Sequence, residues 1–309
     1  MSAREFVALG TQSQAPTKKR NHHAGLLRWD DACFLFDPGE GTQRQFAYAG
    51  ISASQVTHIC ITHFHGDHCL GLAGIIQRLN LDRCAHPVHV YYPASGQRYF
   101  ERLRYASVFA ENAAVFAHPV DREGVLLDTP EWTLQALRLE HRVECFGYRL
   151  QEKDGVTFDP ARLKAAGITG PRVTDLSLQG QVTVDGKTIR REDVSTPRRG
   201  QGFAFVMDTR PCRNAVTLAR DADLAIIEST FHSEHSDEAR EYAHCTSAQA
   251  ATMAVQANVR RLGLTHFSQR YEDVTPLLDE ARAIHPDVVA LMDLDVVTVP
   301  KRHRPPSAG

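Results

Sequence analysis

Ile59-Cys60-Ile61-Thr62-His63-Phe64-His65-Gly66-Asp67-His68 is the stretch on which the reading of this chain turns. His58 to Thr62 alternates polar with branched apolar residues, the pattern of a core strand. Leu70, Leu72, Ile75, Ile76 and Leu79 follow at helical spacing. Between them, three histidines and one aspartate fall within six positions around the turn residue Gly66. A strand that stops and a helix that starts crowd His63, His65, Asp67 and His68 at one edge. Imidazole with carboxylate is a donor set that suits Zn(II), with Mn(II) and Fe(II) left open. His63 and His65 alternate by two and point the same way in extended backbone. Asp67 and His68 sit one turn further, where a second ion would be served.

The pattern His-x-His-x-Asp-His after a strand resembles the metallo-β-lactamase superfamily, whose hydrolases hold one or two metals at such a turn. Strand pairs followed by helices recur in both halves of the chain. Together with the resemblance they imply an α/β protein, an αββα sandwich of two stacked sheets with helices outside. Strands are expected at 5–9, 25–29, 33–36, 88–92, 124–127, 132–139, 145–150, 202–207, 224–227 and 262–265, with one or two more in 288–299. Helices are expected at 42–49, 96–109, 160–166, 212–219, 247–257 and 274–284.

Three further residues stand immediately after expected strands, as His63 does: His141, Asp208 and His266. Strand ends on one rim converge in space even when far apart in sequence. Two metals with open positions need about seven protein ligands, one an anionic bridge. His63, His65 and His141 are assigned to one metal, and Asp67, His68 and His266 to the other. Asp208 is placed between them.

Length and composition bound the rest. The 309 residues suffice for one large domain, read here as a single unit over 1–309, and a net charge of −2 announces no polyanion partner. No apolar run approaches the roughly 18 residues of a membrane span, so no membrane role is expected. The seven cysteines are scattered without a C-x-x-C pair, which suits a reducing compartment and a cytoplasmic location. From Glu152 to Gln201 apolar periodicity weakens and Gly and Pro break the chain repeatedly. This segment is read as an inserted arm projecting from the sandwich, with a hairpin around Asp185-Gly186 and cations at Lys187, Arg190 and Arg191. Residues 301–309 read as a disordered tail.

Beyond the superfamily, the chain resembles the ribonuclease Z family, tRNA 3′-processing endonucleases, in the short bacterial form. The matching segments are Pro16-Thr17-Lys18-Lys19-Arg20-Asn21, the 63–68 motif, His141 with Phe146-Gly147-Tyr148, and Asp208-Thr209-Arg210. Glu228-Ser229-Thr230-Phe231, His244-Cys245-Thr246 and His266-Phe267-Ser268-Gln269-Arg270-Tyr271 complete them. The segment 152–201, with Gly170-Pro171, occupies the place of the family's flexible tRNA-binding arm. It departs from relatives in carrying no cation over Asp175 to Gly180.

The resemblance implies two zinc ions per subunit, a homodimer, and cleavage of the 3′ trailer from precursor tRNA to leave a 3′-hydroxyl and a 5′-phosphate. Asp67 becomes the candidate proton acceptor for the attacking water. His244, held by Glu228, becomes the candidate donor to the leaving 3′-oxygen. Lys18, Lys19, Arg20, Asn21, Gly170, Pro171 and Arg172 are the expected substrate contacts. The alternative is a phosphodiesterase of the same fold acting on small phosphodiesters; it predicts neither arm nor basic loop.

Overall fold

The computed structural model describes residues 4–301, so the expected tail lies, Lys301 apart, outside the described residues. Two seven-stranded sheets stack face to face. In the first, the spatial order is Val296–Thr298, Glu5–Gly10, Ala24–Trp29, Ala32–Phe36, His58–Cys60, Val88–Pro93, Val115–Val120. The second runs Val288–Ala290, Arg261–Thr265, Leu224–Glu228, Gly202–Val206, Cys145–Glu152, Trp132–Leu139, Gly124–Asp128. Each sheet is parallel over four neighbouring strands and antiparallel over the rest. That mixture matters for the site, because all the parallel strands of a sheet end on the same rim.

Alternation of side chains decides what each face buries. Phe6, Phe34, Phe36, Phe203 and Phe205 point between the sheets and form an aromatic centre with Trp132. On the outer face of the first sheet, the helix Leu72–Leu81 buries Leu72, Ile75, Ile76 and Leu79, the stripe legible in the sequence. Each such side chain contributes about 1.5–3 kcal/mol on burial. Helices Arg213–Ala219, Ser247–Gln256 and Thr275–Arg282 cover the second sheet. The expected αββα layering is therefore what the chain adopts.

Several boundaries differ for identifiable reasons. The strand before the motif ends at Cys60 because Thr62 leaves the ladder and gives both its amide and its hydroxyl to Asp37. The helix expected over 96–109 stops at Arg104, and the residues from Tyr105 to Val108 are exposed. Strand Val115–Val120, which contains His118-Pro119, and the mostly polar helix Ser236–Tyr242 were not anticipated. In the helix only Ala239 is buried, so it carries almost no apolar stripe.

Residues 155–198 fold on themselves. Strands Gly155–Phe158 and Ser195–Arg198 pair antiparallel, and beyond them Gln181–Val184 and Lys187–Arg190 form a hairpin. Two helices, Pro160–Ala165 and Pro171–Gln179, complete the unit around Ile168, Leu176, Val184 and Val194. The second helix was not expected. It opens at Gly170, whose φ of 56° favours glycine, and buries Leu176 alone. At the neck, Glu152 accepts from Arg4 Nη1 at 2.7 Å, Arg198 Nη2 at 2.7 Å and the Gln201 amide at 2.8 Å. A Cβ at Gly200 would stand 2.0 Å from the Glu152 carbonyl oxygen, so the neck is closed by backbone approach.

Candidate metal centre

Strand termini supply the side chains. His63 and His65 lie just past His58–Cys60, Asp208 past Gly202–Val206, and His266 past Arg261–Thr265. His141 enters from the turn between the antiparallel strands Trp132–Leu139 and Cys145–Glu152. Asp208 and His266 both adopt left-handed backbone, φ 48° and 63°, which swings their side chains off the strand direction onto the rim.

The donor atoms converge in two groups joined by Asp208, and Asp208, His244 and His266 make a third that overlaps the second. His63, His65, His141 and Asp208 offer atoms within 4.8 Å of one another, and so do Asp67, His68 and His266. In the first group, His65 Nδ1 lies 2.9 Å from His63 Nε2 and 3.3 Å from His141 Nε2. In the second, His68 Nε2 is 3.1 Å from His266 Nε2, and Asp67 Oδ2 is 3.4 and 3.5 Å from those two nitrogens. Asp208 spans both: Oδ2 is 3.5 Å from His63 Nε2, while Oδ1 is 3.3 Å from His266 Nε2.

The tautomers follow from what lies behind the rings. Thr62 Oγ1 donates to Asp37 Oδ2 at 2.7 Å, so it can only accept from His63 Nδ1 at 3.0 Å. Thr230 Oγ1 donates to Glu228 Oε2 at 2.7 Å and accepts from His266 Nδ1 at 3.0 Å. His141 Nδ1 donates to the Ala243 carbonyl at 3.0 Å, and His68 Nδ1 meets Asp37 Oδ2 at 2.8 Å. These four rings therefore turn Nε2 toward the centre, the arrangement that prepares imidazoles for a metal, while His65 presents Nδ1. Lone pairs that face each other repel, and Asp208 Oδ1 is buried with no hydrogen-bond donor. A divalent cation satisfies all of these atoms at once, so the donor set fits one.

Charge reinforces this. Burial opposes ionisation of Asp208 and of Asp67, yet the surrounding imidazoles hold both carboxyls well below the usual range. Burial pushes His63 well down, keeping it neutral and available as a donor. His244 stands beside the second group. Its Nδ1 meets Glu228 Oε1 at 2.9 Å, and Glu228 is fixed in turn by the Thr209 and Cys245 amides. Burial lowers the His244 pKa, but Glu228 and Asp208 outweigh it and raise it to about 9.

The donors open into a cavity of about 950 Å³. At its Asp67 end, the Gln14 amide donates to Asp67 Oδ2 at 2.7 Å from a left-handed backbone, φ 61°. The basic loop follows. Thr17 closes a tight turn on Arg20, and Lys18 and Lys19 project from it exposed. Arg20 instead is buried. Its Nε donates to Gln12 Oε1 at 2.7 Å, Nη2 bonds the Tyr271 carbonyl, and burial lowers its pKa. Asn21 is also held internally, its side chain donating to the Glu40 carbonyl and its amide to Asp293. Gly170, Pro171 and Arg172 begin the arm helix and do not line the cavity.

Sequence reasoning missed the groups behind the ligands. Asp37 reads as part of the turn Asp37-Pro38-Gly39, although it too follows a strand, and its position there was the available signal. Thr62, Thr230 and the Ala243 carbonyl carried none, since their function exists only once the strands are side by side.

Residues 17–141 match the family model of the metallo-beta-lactamase superfamily. The fold agrees: human tRNase Z, short form, superposes with a TM-score of 0.71 at 25% identity, covering 96% of this chain and 100% of that one. A metallo-beta-lactamase fold protein of Bacillus subtilis reaches a TM-score of 0.69 at 16% identity, over 96% of this chain and 100% of its own. The chain is thus a metallo-β-lactamase-type α/β protein with a histidine–aspartate donor rim. Ribonuclease Z of Salinispora arenicola is 53% identical over 310 residues, covering both chains completely. Ribonuclease Z of Chlamydia caviae is 47% identical over 97% of this chain and 98% of its own. The chain belongs to the ribonuclease Z family.

Proposed function

We propose that this chain is a metal-dependent endoribonuclease that removes the 3′ trailer from precursor tRNA, leaving a 3′-hydroxyl on the tRNA and a 5′-phosphate on the trailer. The observation that carries the reading is 53% identity to a ribonuclease Z along the whole chain.

His63, His65 and His141 would hold one zinc ion, Asp67, His68 and His266 a second, with Asp208 shared between them. When bound, such ions acidify a water and neutralise charge on phosphoryl oxygens. The protein's own groups do the rest. Asp67 Oδ2 is engaged by Gln14 and the imidazoles, and Oδ1 is the oxygen that accepts a proton from the attacking water. His244, oriented by Glu228, donates a proton to the leaving 3′-oxygen.

Lys18 and Lys19 meet RNA phosphates beside the cavity. Arg20 and Asn21 act by holding the turn that presents them. The arm over 152–201 serves as a second contact for the tRNA body through Gly170, Pro171 and Arg172. The homodimeric state implied by the family resemblance and a cytoplasmic location belong to the same reading. Seven unpaired cysteines support the location, and sedimentation as a monomer would refute the dimer.

The test is cleavage of a 5′-labelled precursor tRNA with metal content determined on the same sample. A cut at the base of the trailer, abolished by a chelator and by His63→Ala, supports the reading. An intact precursor alongside hydrolysis of a small phosphodiester would reject the substrate and keep the chemistry.

A further inference from the structure

At the His141 end of the cavity stand two residues that the chemistry above does not use, Arg142 and Tyr242. Arg142 directly follows His141. Tyr242 closes the helix Ser236–Tyr242, two residues before His244. The guanidinium carbon lies 6.0 Å from the centre of the tyrosine ring, and both side chains are exposed, Tyr242 by 42%. Neighbouring arginines are committed elsewhere: Arg138 to Glu144 at 2.7 Å, and Arg270 to Glu238 at 3.6 Å while lying over Phe231. Among the described residues, Arg142 makes no hydrogen bond or ion pair, and neither does the Tyr242 hydroxyl.

A guanidinium without a carboxylate at the mouth of a site finds its complement in an anion that the ligand brings. An exposed phenol ring beside it is a surface for stacking. Nucleic acid supplies both, a phosphate and a π-face on every nucleotide. Position then selects the nucleotide. His244 serves the oxygen that leaves, which belongs to the ribose on the 5′ side of the cut, and Tyr242 is tied to His244 through the single residue Ala243.

Resting on the tRNA reading, we propose that Arg142 and Tyr242 form a jaw for the nucleotide whose ribose gives up its 3′-oxygen. The ring stacks on its base and the guanidinium meets the phosphate 5′ to it. Neither contact reads a base edge, so the jaw accepts any base.

The experiment compares the wild type with Tyr242→Ala, Tyr242→Phe and Arg142→Ala on three precursor tRNAs. One is intact, one abasic at the last tRNA nucleotide, and one abasic at the first trailer nucleotide. Tyr242→Ala lowers kcat/KM on the intact precursor by about 10-fold or more. It has no further effect when the last tRNA nucleotide lacks its base. Tyr242→Phe keeps wild-type behaviour. Arg142→Ala raises KM and lessens the salt dependence of binding. Metal content stays at the wild-type level in all three variants, which separates a lost grip from a damaged rim. An equal loss on intact and abasic precursors overturns the jaw, as does coupling to the trailer nucleotide instead. A wild-type enzyme that cuts none of the three overturns the tRNA reading, and the jaw with it.

Discussion

The donor rim draws side chains from both sheets and backs four of its five histidine rings with a hydrogen bond, whereas residues 155–198 gather four buried aliphatics and join the sandwich at a neck. The rim is over-determined. Removing one member leaves partners buried and unpaired, so the penalty spreads. The arm has a core of its own and a neck held by Glu152, Asp154 and Asp221, so changes there stay local. The donor rim and the arm are thus separately stabilised parts of one chain.

The sharpest challenge to this contrast is Asp208→Ala. Both oxygen faces of the shared carboxylate disappear, and metal content and cleavage of any phosphodiester fall to background. Retention of both metals would show that the two donor groups are independent. Next in size is deletion of 155–198 with a short glycine bridge. Turnover of precursor tRNA falls by about 100-fold through lost effective concentration, while a small phosphodiester is hydrolysed as before. A parallel fall in both would tie the arm to the rim.

Asp37→Asn probes the backing of the rim. Metal affinity measured by chelator competition weakens by about 10- to 100-fold, with the fold intact. Leu176→Ala tests the arm's own core and costs it about 2–5 kcal/mol. Hydrogen exchange accelerates across 155–198, and metal content does not change.

The smallest effect concerns pH. Burial opposes charge on Glu152, but Arg198 and Arg4 hold its pKa down at about 2, against an ordinary 4.5. A depressed carboxyl stabilises the fold above its unfolded value, so the neck's contribution is complete above pH 4.5 and is lost as pH falls toward 2. Proteolysis within the arm should increase over that window and become independent of pH in Glu152→Gln.

The same division governs what could be read from the sequence. The clustering of the rim's donors is legible because strand alternation, a strand end and a restricted set of residue types coincide at His63, Asp208 and His266. The burial of Arg20 was not legible, because a cation within a Lys-Lys-Arg run carries no sign that its guanidinium folds back on Gln12 and Tyr271. In the arm, the hairpin at Asp185-Gly186 announces itself by turn chemistry. The helix Pro171–Gln179 does not, since a single buried leucine makes no periodic pattern. Val115–Val120 hides because the edge position of the strand tolerates a proline.

The order in which the donors occur along the chain has a consequence for biosynthesis. A nascent polypeptide complete as far as His141 already presents five of the seven donors, but lacks the carboxylate that spans the two groups and the last imidazole. Strand Gly202–Val206, which carries Asp208 to the rim, pairs with the earlier Cys145–Glu152 and the later Leu224–Glu228, and His266 arrives only after Arg261–Thr265. The donor set therefore becomes whole only once His266 has been made. A ribosome-bound fragment that stops short of His266 lacks the full donor set amid the RNA that surrounds it.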